Sequence, residues 1–231
     1  MPPTEPRAAG GRRRRGSRAS AAEVVTLTAG GARFDNEALD ELARAFARGD
    51  ESAFEALQAQ VRDRLYRLAY RITGRRDDAL DVVQDALFKV YRDIGAWNER
   101  SAFYSWLYRV TTNLAIDRLR RRRRRTVLQQ RIAERSSRRP RPGAEHEAVV
   151  DARHDDAVRL AQLRRAVDRL APQQRAVVAL RHYEGLPLAE IARIRGCALG
   201  TVKSTLHQAL RNLQRMLAAE RRSEGGGHGG A

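Results

Sequence analysis

Cysteine, lysine and aromatic residues are all scarce in this chain, and each scarcity narrows what it can be. Cys197 is the single cysteine, so no intrachain disulfide can form and a thiolate zinc site lacks its ligand set. That usage suits the cytoplasm. Aromatics make up only 6% of the residues, so part of the length is expected to be solvated tail or linker rather than core. No apolar run approaches the roughly 18 to 20 residues that span a bilayer, and the arginine-rich start is not followed by the apolar stretch of a signal peptide. The reading is therefore of a cytoplasmic chain with no membrane span. Period-two alternation is absent as well, which predicts no sheet. No GxxxxGK[ST] loop and no nucleophile motif is present, so neither a cofactor nor catalysis is expected.

What the chain has in excess is positive charge. Its formal net charge is +17 and its pI about 11.3, which makes a polyanion the first partner to consider, nucleic acid ahead of an anionic membrane surface. Lys89 and Lys203 are the only lysines. Arginine thus carries nearly all of the charge and offers bidentate contacts to phosphates and base edges. A GC-rich genome accounts for the choice of arginine over lysine, but not for the excess over acidic residues. The 231 residues, 42% hydrophobic and 32% charged, are enough for two small domains.

The periodicity divides the chain into five parts. Residues 1–35 carry Pro, Gly, Ser and the run Arg12 to Arg15, and read as a disordered basic tail. Residues 36–125 read as four amphipathic helices. Leu39, Leu42 and Phe46 form the first stripe, and Gly49 ends it. Asp50 caps a long second helix from Phe54 to Ile72, closed by Gly74. The third runs through Leu80, Val83, Leu87 and Val90 to Gly95. The fourth is capped by Ser101 and carries Phe103, Leu107, Val110 and Leu114. Residues 126–156, with Pro140 and Pro142 followed by Glu145, Glu147 and Asp151, read as a flexible linker. Residues 157–219 read as a second four-helix bundle, and residues 220–231 as a glycine-rich tail. The predicted fold class is all-α: two small helical bundles on a tether.

Two stretches carry chemistry. Between Leu188 and Leu213 a short helix, a turn at Gly196 to Gly200 and a longer helix match a helix-turn-helix. With Val202, Leu206 and Leu210 inward, Lys203, Ser204, His207, Gln208 and Arg211 face outward with donors for phosphates or base edges. The alternative is an ordinary helical hairpin with a solvated face. The second stretch starts near Trp97, continues through Phe103, Tyr104, Trp106 and Tyr108, and ends in the arginine run Arg120 to Arg125. Aromatics that stack on bases beside arginines that neutralise phosphates make a single-strand platform. Against this stands the reading of aromatics as core, with the arginines complementing a helix C-terminus. His146, Glu147, His154 and Asp155 sit in the polar linker and read as solvated residues, not metal ligands. Cys197 is read as filling the turn.

The same stretches resemble the sigma-70 family of RNA polymerase sigma factors, in its compact extracytoplasmic-function (ECF) group. The family's second region is similar to Asp81-Val82-Val83-Gln84-Asp85-Ala86-Leu87-Phe88, to Ser101 through Val110, and to Asn113-Leu114-Ala115 with Asp117-Arg118-Leu119-Arg120. Its fourth region is similar to Leu170-Ala171-Pro172-Gln173-Gln174-Arg175, Tyr183-Glu184-Gly185-Leu186 and Gly200-Thr201-Val202-Lys203-Ser204. The long third region and acidic first region of larger members are missing, which points to the compact group.

The resemblance implies partners and roles. Core RNA polymerase would be held through the beta-prime clamp helices and the beta subunit, with Asp81, Gln84, Asp85 and Phe88 of the first module on the clamp. Trp97, Asn98, Glu99, Arg100 and Ser101 would form the loop that helps capture a base flipped from the melted minus-10 strand. Asn113 would line that pocket, and Arg118, Arg120 and Arg121 would touch nearby phosphates. Thr201, Lys203, Ser204, His207, Gln208 and Arg211 would track the duplex minus-35 element. An anti-sigma factor is a further partner the family admits. The chain departs from the family pattern at Ala198, Thr205, Gln208 and Leu210, where proline or arginine is common, so its recognition helix is less basic. Two rivals remain from the residues alone: a stand-alone helix-turn-helix regulator that needs only the second module, and an arginine-rich RNA-associated protein that uses its tails.

Overall fold

A computed structural model of the chain describes residues 36–135 and 154–225, and every regular element among them is helical. The helices are α1 (Asn36–Ala47), α2 (Glu51–Thr73), α3 (Arg76–Asp93) and α4 (Phe103–Arg135), then α5 (His154–Arg169), α6 (Pro172–Val178), α7 (Leu188–Arg195) and α8 (Leu199–Gly225). A 3-10 turn, Ile94–Ala96, follows α3, and a π-helical turn, Ala179–Tyr183, follows α6. The expected tail at 1–35 and most of the linker lie outside the described residues.

Local chemistry explains most boundaries. Asp50 caps α2 by accepting from the Ser52 amide at 3.1 Å, and the Ser52 hydroxyl, which donates to the same oxygen at 2.6 Å, is the main cause that holds its carboxyl below the usual range. Gly74 closes α2 at φ 74°, in the left-handed region that favours glycine. A second constraint acts there: an added Cβ would stand 2.5 Å from Arg175 Nη2 and 2.8 Å from Asp168 Oδ1. Gly196 closes α7 in the same left-handed conformation, at φ 63°.

The start of α4 is set by tertiary structure. Ser101 does not cap it; its hydroxyl donates to the Asn98 carbonyl at 3.1 Å. The Phe103 amide instead donates to Asp40 Oδ1 of α1 at 2.7 Å. The helix also runs to Arg135, ten residues past Arg125, into the stretch expected to be flexible linker. The arginine run at 120–125 therefore lies inside a helix rather than at its C-terminus.

The first bundle packs Leu39, Leu57, Leu65, Leu68, Val82, Leu87, Phe103 and Leu107 at its centre. Leu80, expected on that stripe, is 45% exposed, because the buried face of α3 is Ala79, Val82, Val83, Ala86, Leu87 and Val90. In the second bundle α5, α6 and α8 enclose Ala166, Leu170, Val178, Ala209 and Leu213. The two bundles are not apart. Ala176, Leu180, Ile191 and Ile194 of the second join the apolar cluster of the first.

Polar contacts complete that junction. Arg64 Nε donates to Glu184 Oε2 at 3.0 Å, and the Tyr108 hydroxyl donates to the same oxygen at 2.5 Å. Both charged side chains are nearly buried, 10% and 7% exposed. Loss of one partner from such a buried pair costs about 3–5 kcal/mol, because the other charge is left unpaired. Burial, and then the Glu184 carboxylate, push the Tyr108 phenol well above its ordinary range. Arg175 reaches across to the Arg71 carbonyl at 3.2 Å and pairs with Asp168. The Arg71 guanidinium lies 3.6 Å from the centre of the Tyr183 ring.

Candidate nucleic-acid and polymerase interfaces

The outer face of α3 carries Gln84, Asp85 and Phe88, all exposed, with Phe88 61% accessible. An aromatic ring so open on a folded helix is not core packing. Leu80 and Tyr91, also exposed, extend the apolar part of this face, so it has an apolar centre with acidic and amide neighbours. Periodicity hid Leu80 by offering it to the core, and Tyr91 fell outside the stripe that was read. Tyr91 is anchored at its inner edge by Phe54 and Phe46, with ring centroids at 5.2 and 5.6 Å. Asp81 sits at the rim, half-buried and paired with Arg118.

The loop before α4 separates into two kinds of residue. Trp97 is only 6% exposed: its indole N–H donates to the Ser101 carbonyl at 2.8 Å, and its ring meets Phe103 edge-on at 5.3 Å. Trp97 therefore holds the loop from beneath and does not offer a free ring face. Asn98, Glu99, Arg100 and Ser101 are exposed above it. Asn98 Oδ1 accepts from the Arg100 amide at 3.0 Å, a local turn that shapes the loop. Phe103 and Tyr108 are fully buried, so these aromatics belong to the core.

Along α4 the exposed Asn113 lies near one end of a basic surface on which Arg120 and Arg121 are also exposed. Arg118 is more constrained, with Nε donating to Asp78 Oδ1 at 2.9 Å; that bond, and the Asp81 and Asp78 charges, raise its pKa. Arg123 turns inward and donates to the Leu170 carbonyl at 2.5 Å. The arginine run is thus divided: Arg120 and Arg121 face solvent, and Arg123 secures the second bundle.

Helices α7 and α8 form the helix-turn-helix. Val202 is 1% exposed and Ala209 and Leu213 are buried, with Leu206 and Leu210 partly so. That leaves Thr201, Lys203, Ser204, His207, Gln208 and Arg211 exposed on one surface. Ser204 donates to the Thr201 carbonyl at 3.0 Å, within the helix. Cys197 is exposed on the turn instead of filling it.

Several residues that shape these surfaces went unread in the sequence. Glu184, Glu190, Arg64 and Arg195 look like solvated charges by type, yet Glu190 is 9% exposed and Arg64 8%. Each has a partner distant in sequence: Arg64 and Glu184 pair across 120 residues, and Tyr108 and Glu184 across 76. The one signal for them was charge at positions that helical spacing turns inward.

Among the described residues no helix is long and apolar enough to cross a membrane, and no group of His, Cys, Asp and Glu could hold a metal.

Residues 57–125 match the model of Sigma-70 region 2, and residues 160–213 that of Sigma-70, region 4. The ECF RNA polymerase sigma factor SigE of Mycolicibacterium smegmatis is 37% identical over 175 residues, covering 74% of this chain and 65% of that protein. SigW of Bacillus subtilis, another ECF sigma factor, is 30% identical over 180 residues, covering 74% of this chain and 91% of its own length. Among solved structures, the sigma factor RpoE from Bartonella quintana, in complex with the anti-sigma factor NepR, superposes with a TM-score of 0.53 at 25% identity, over 71% of this chain and 96% of that one. Two regions of one family, in the family's order, place this chain in the sigma-70 family, in its extracytoplasmic-function group.

Proposed function

We propose that the chain is a sigma factor that binds core RNA polymerase and confers promoter recognition and melting on it, while the polymerase supplies all catalysis. The observation that carries this reading is the separation of three exposed surfaces on one chain. The α3 face around Phe88 suits a helix-on-helix contact with the polymerase clamp. The Asn98 to Ser101 loop, with Asn113, Arg120 and Arg121, suits an extruded base and its phosphates. The Lys203 surface of α8 suits the major groove of the minus-35 duplex. Asp81 and Arg118 contribute to the first two faces from their shared ion pair. An anti-sigma factor belongs among the partners, and the site of action is the cytoplasm, where the polymerase works.

Run-off transcription with purified core polymerase on fragmented genomic DNA tests the reading. Transcripts that start at discrete sites only when the chain is added are the expected result; a polymerase indifferent to the chain overturns it. A stand-alone duplex-binding regulator gains some support from the accessibility of Lys203 and His207 without any partner. That reading leaves the exposed α3 face unused. It would be favoured by a pull-down in which duplex DNA, but not core polymerase, retains the chain.

A further inference from the structure

The loop proposed for the extruded base contains an acid. Of its exposed residues Asn98, Glu99, Arg100 and Ser101, only Glu99 repels phosphate, because an ionised carboxylate accepts hydrogen bonds and donates none. Asn98 and Ser101 are tied to each other within the loop: the Ser101 amide and hydroxyl both donate to the Asn98 carbonyl, at 3.0 and 3.1 Å. Glu99 is held from outside it. Arg44 Nε of α1 stands 3.4 Å from Glu99 Oε2. One turn earlier on α1, Asp40 Oδ1 accepts from the Phe103 amide at 2.7 Å. Residues four apart share a helix face, so one face of α1 grips the loop in its middle and at its junction with α4. The two contacts differ in character. Asp40 is half-buried, and its bond starts a helix. The Arg44–Glu99 pair is open to water, with side chains 37% and 63% exposed, and such pairs contribute little to stability. Its effect is electrostatic and local.

We propose that Arg44 is a positioning residue for strand capture: it draws the Glu99 carboxylate to the α1 side of the loop and neutralises it, so that Asn98, Arg100 and Ser101 meet the strand without a repelling charge. This rests on the function proposed above, which sets the loop against the melted strand. Coulomb repulsion between a freed carboxylate and a phosphate about 7 Å away, at a wet surface, weakens strand binding about three- to fivefold at low salt. A freed Glu99 also becomes an acceptor for the exocyclic amino group of cytosine or adenine. Its restraint therefore bears on base preference as well as on affinity.

The test uses the full chain bound to core polymerase and a fluorescent oligo(dT) of about 15 nucleotides, followed by anisotropy at fixed low salt. Thymine has no exocyclic amino group, so the freed carboxylate gains no compensating bond. Arg44→Gln is expected to weaken binding about three- to fivefold while moving the melting temperature of the free chain by no more than about 3 °C. Arg44→Lys keeps a cation beside Glu99 and should restore binding to within twofold of wild type. In a Glu99→Gln background the same Arg44→Gln change should alter affinity less than twofold, because no carboxylate is left to restrain. On oligo(dC), whose amino groups can reward a freed Glu99, the loss caused by Arg44→Gln should be smaller than on oligo(dT).

A loss of equal size in both backgrounds overturns the proposal, since Arg44 would then touch phosphate itself. Unchanged affinity in Arg44→Gln overturns it too, and a melting temperature lowered well beyond 3 °C makes the contact structural instead. Each of these results leaves the sigma reading standing. A wild-type chain that adds no oligonucleotide affinity to core polymerase is the different failure: it removes the strand-facing role of the loop, and the role of Arg44 falls with it.

Discussion

Arg118 is ion-paired to Asp81, so the residue expected on DNA phosphate and the one expected at the polymerase rim hold each other in the free chain. The pair is open to water, with side chains 37% and 47% exposed, and exposed pairs contribute about 0–1 kcal/mol. Arg118 also holds Asp78, at 2.9 Å. The pair is thus a positioning contact that either partner can exchange for an external one.

Asp81→Asn is expected to weaken association with core polymerase severalfold while moving the melting temperature by no more than about 3 °C, as an exposed pair predicts. Fluorescence anisotropy with labelled polymerase and a thermal melt check this together. A drop in melting temperature comparable to that of a core substitution would mean the residue is structural.

Trp97→Ala should behave oppositely to its neighbours. A buried tryptophan truncated to alanine costs about 3–5 kcal/mol, which lowers the melting temperature by about 10 °C or more. Asn98→Ala, on the exposed side of the same loop, should leave the melt nearly unchanged. Circular dichroism melts of both variants decide it, and equal melts would show that the loop does not depend on its indole.

Asn113→Ala is expected to reduce promoter opening about tenfold, as loss of one hydrogen bond of about 1–1.5 kcal/mol would, with little effect on polymerase association. Permanganate footprinting measures the first and anisotropy the second. Equal losses in both would remove Asn113 from the base pocket.

Lys203→Ala should weaken duplex binding and reduce the slope of log affinity against log salt by about one, the signature of a single phosphate contact. Titrations at several salt concentrations read it directly. An unchanged slope combined with altered sequence preference would assign Lys203 to a base edge instead.

His182, half-buried in the π-helical turn, has its pKa lowered by burial and then by Arg181. The unfolded chain takes up the proton first as pH falls, so stability contributed by neutral His182 is complete above the unfolded value of about 6.5. It declines as pH drops from there towards the folded value. His182→Gln should flatten the loss of melting temperature between pH 7 and 5; an identical slope would exclude His182 as its source.

The helices themselves were legible in the one-dimensional pattern because a 3.6-residue period, a capping Asp50 and a closing Gly74 or Gly196 are local facts, and local facts need no partner. The outward set on α8 followed for the same reason: once Val202 points inward, Lys203 and His207 cannot. The assignment of Trp97 to the strand-facing loop did not survive unchanged, since residue type alone cannot distinguish a stacking platform from a buried indole. Sequence likewise placed Leu80 inside, because a stripe predicts which residues share a face and not how wide the buried part of that face is.

Composition and periodicity alone determined an all-helical, arginine-rich chain of two bundles whose charge made a polyanion the first partner to consider. Only the tertiary structure decided that Asp40 caps α4, that Glu184 binds Arg64 and Tyr108, and that Arg195 of α7 donates to Asn113. Contacts between residues 63 to 120 positions apart depend on how whole helices pack, and packing is a property of three-dimensional shape that no local pattern encodes.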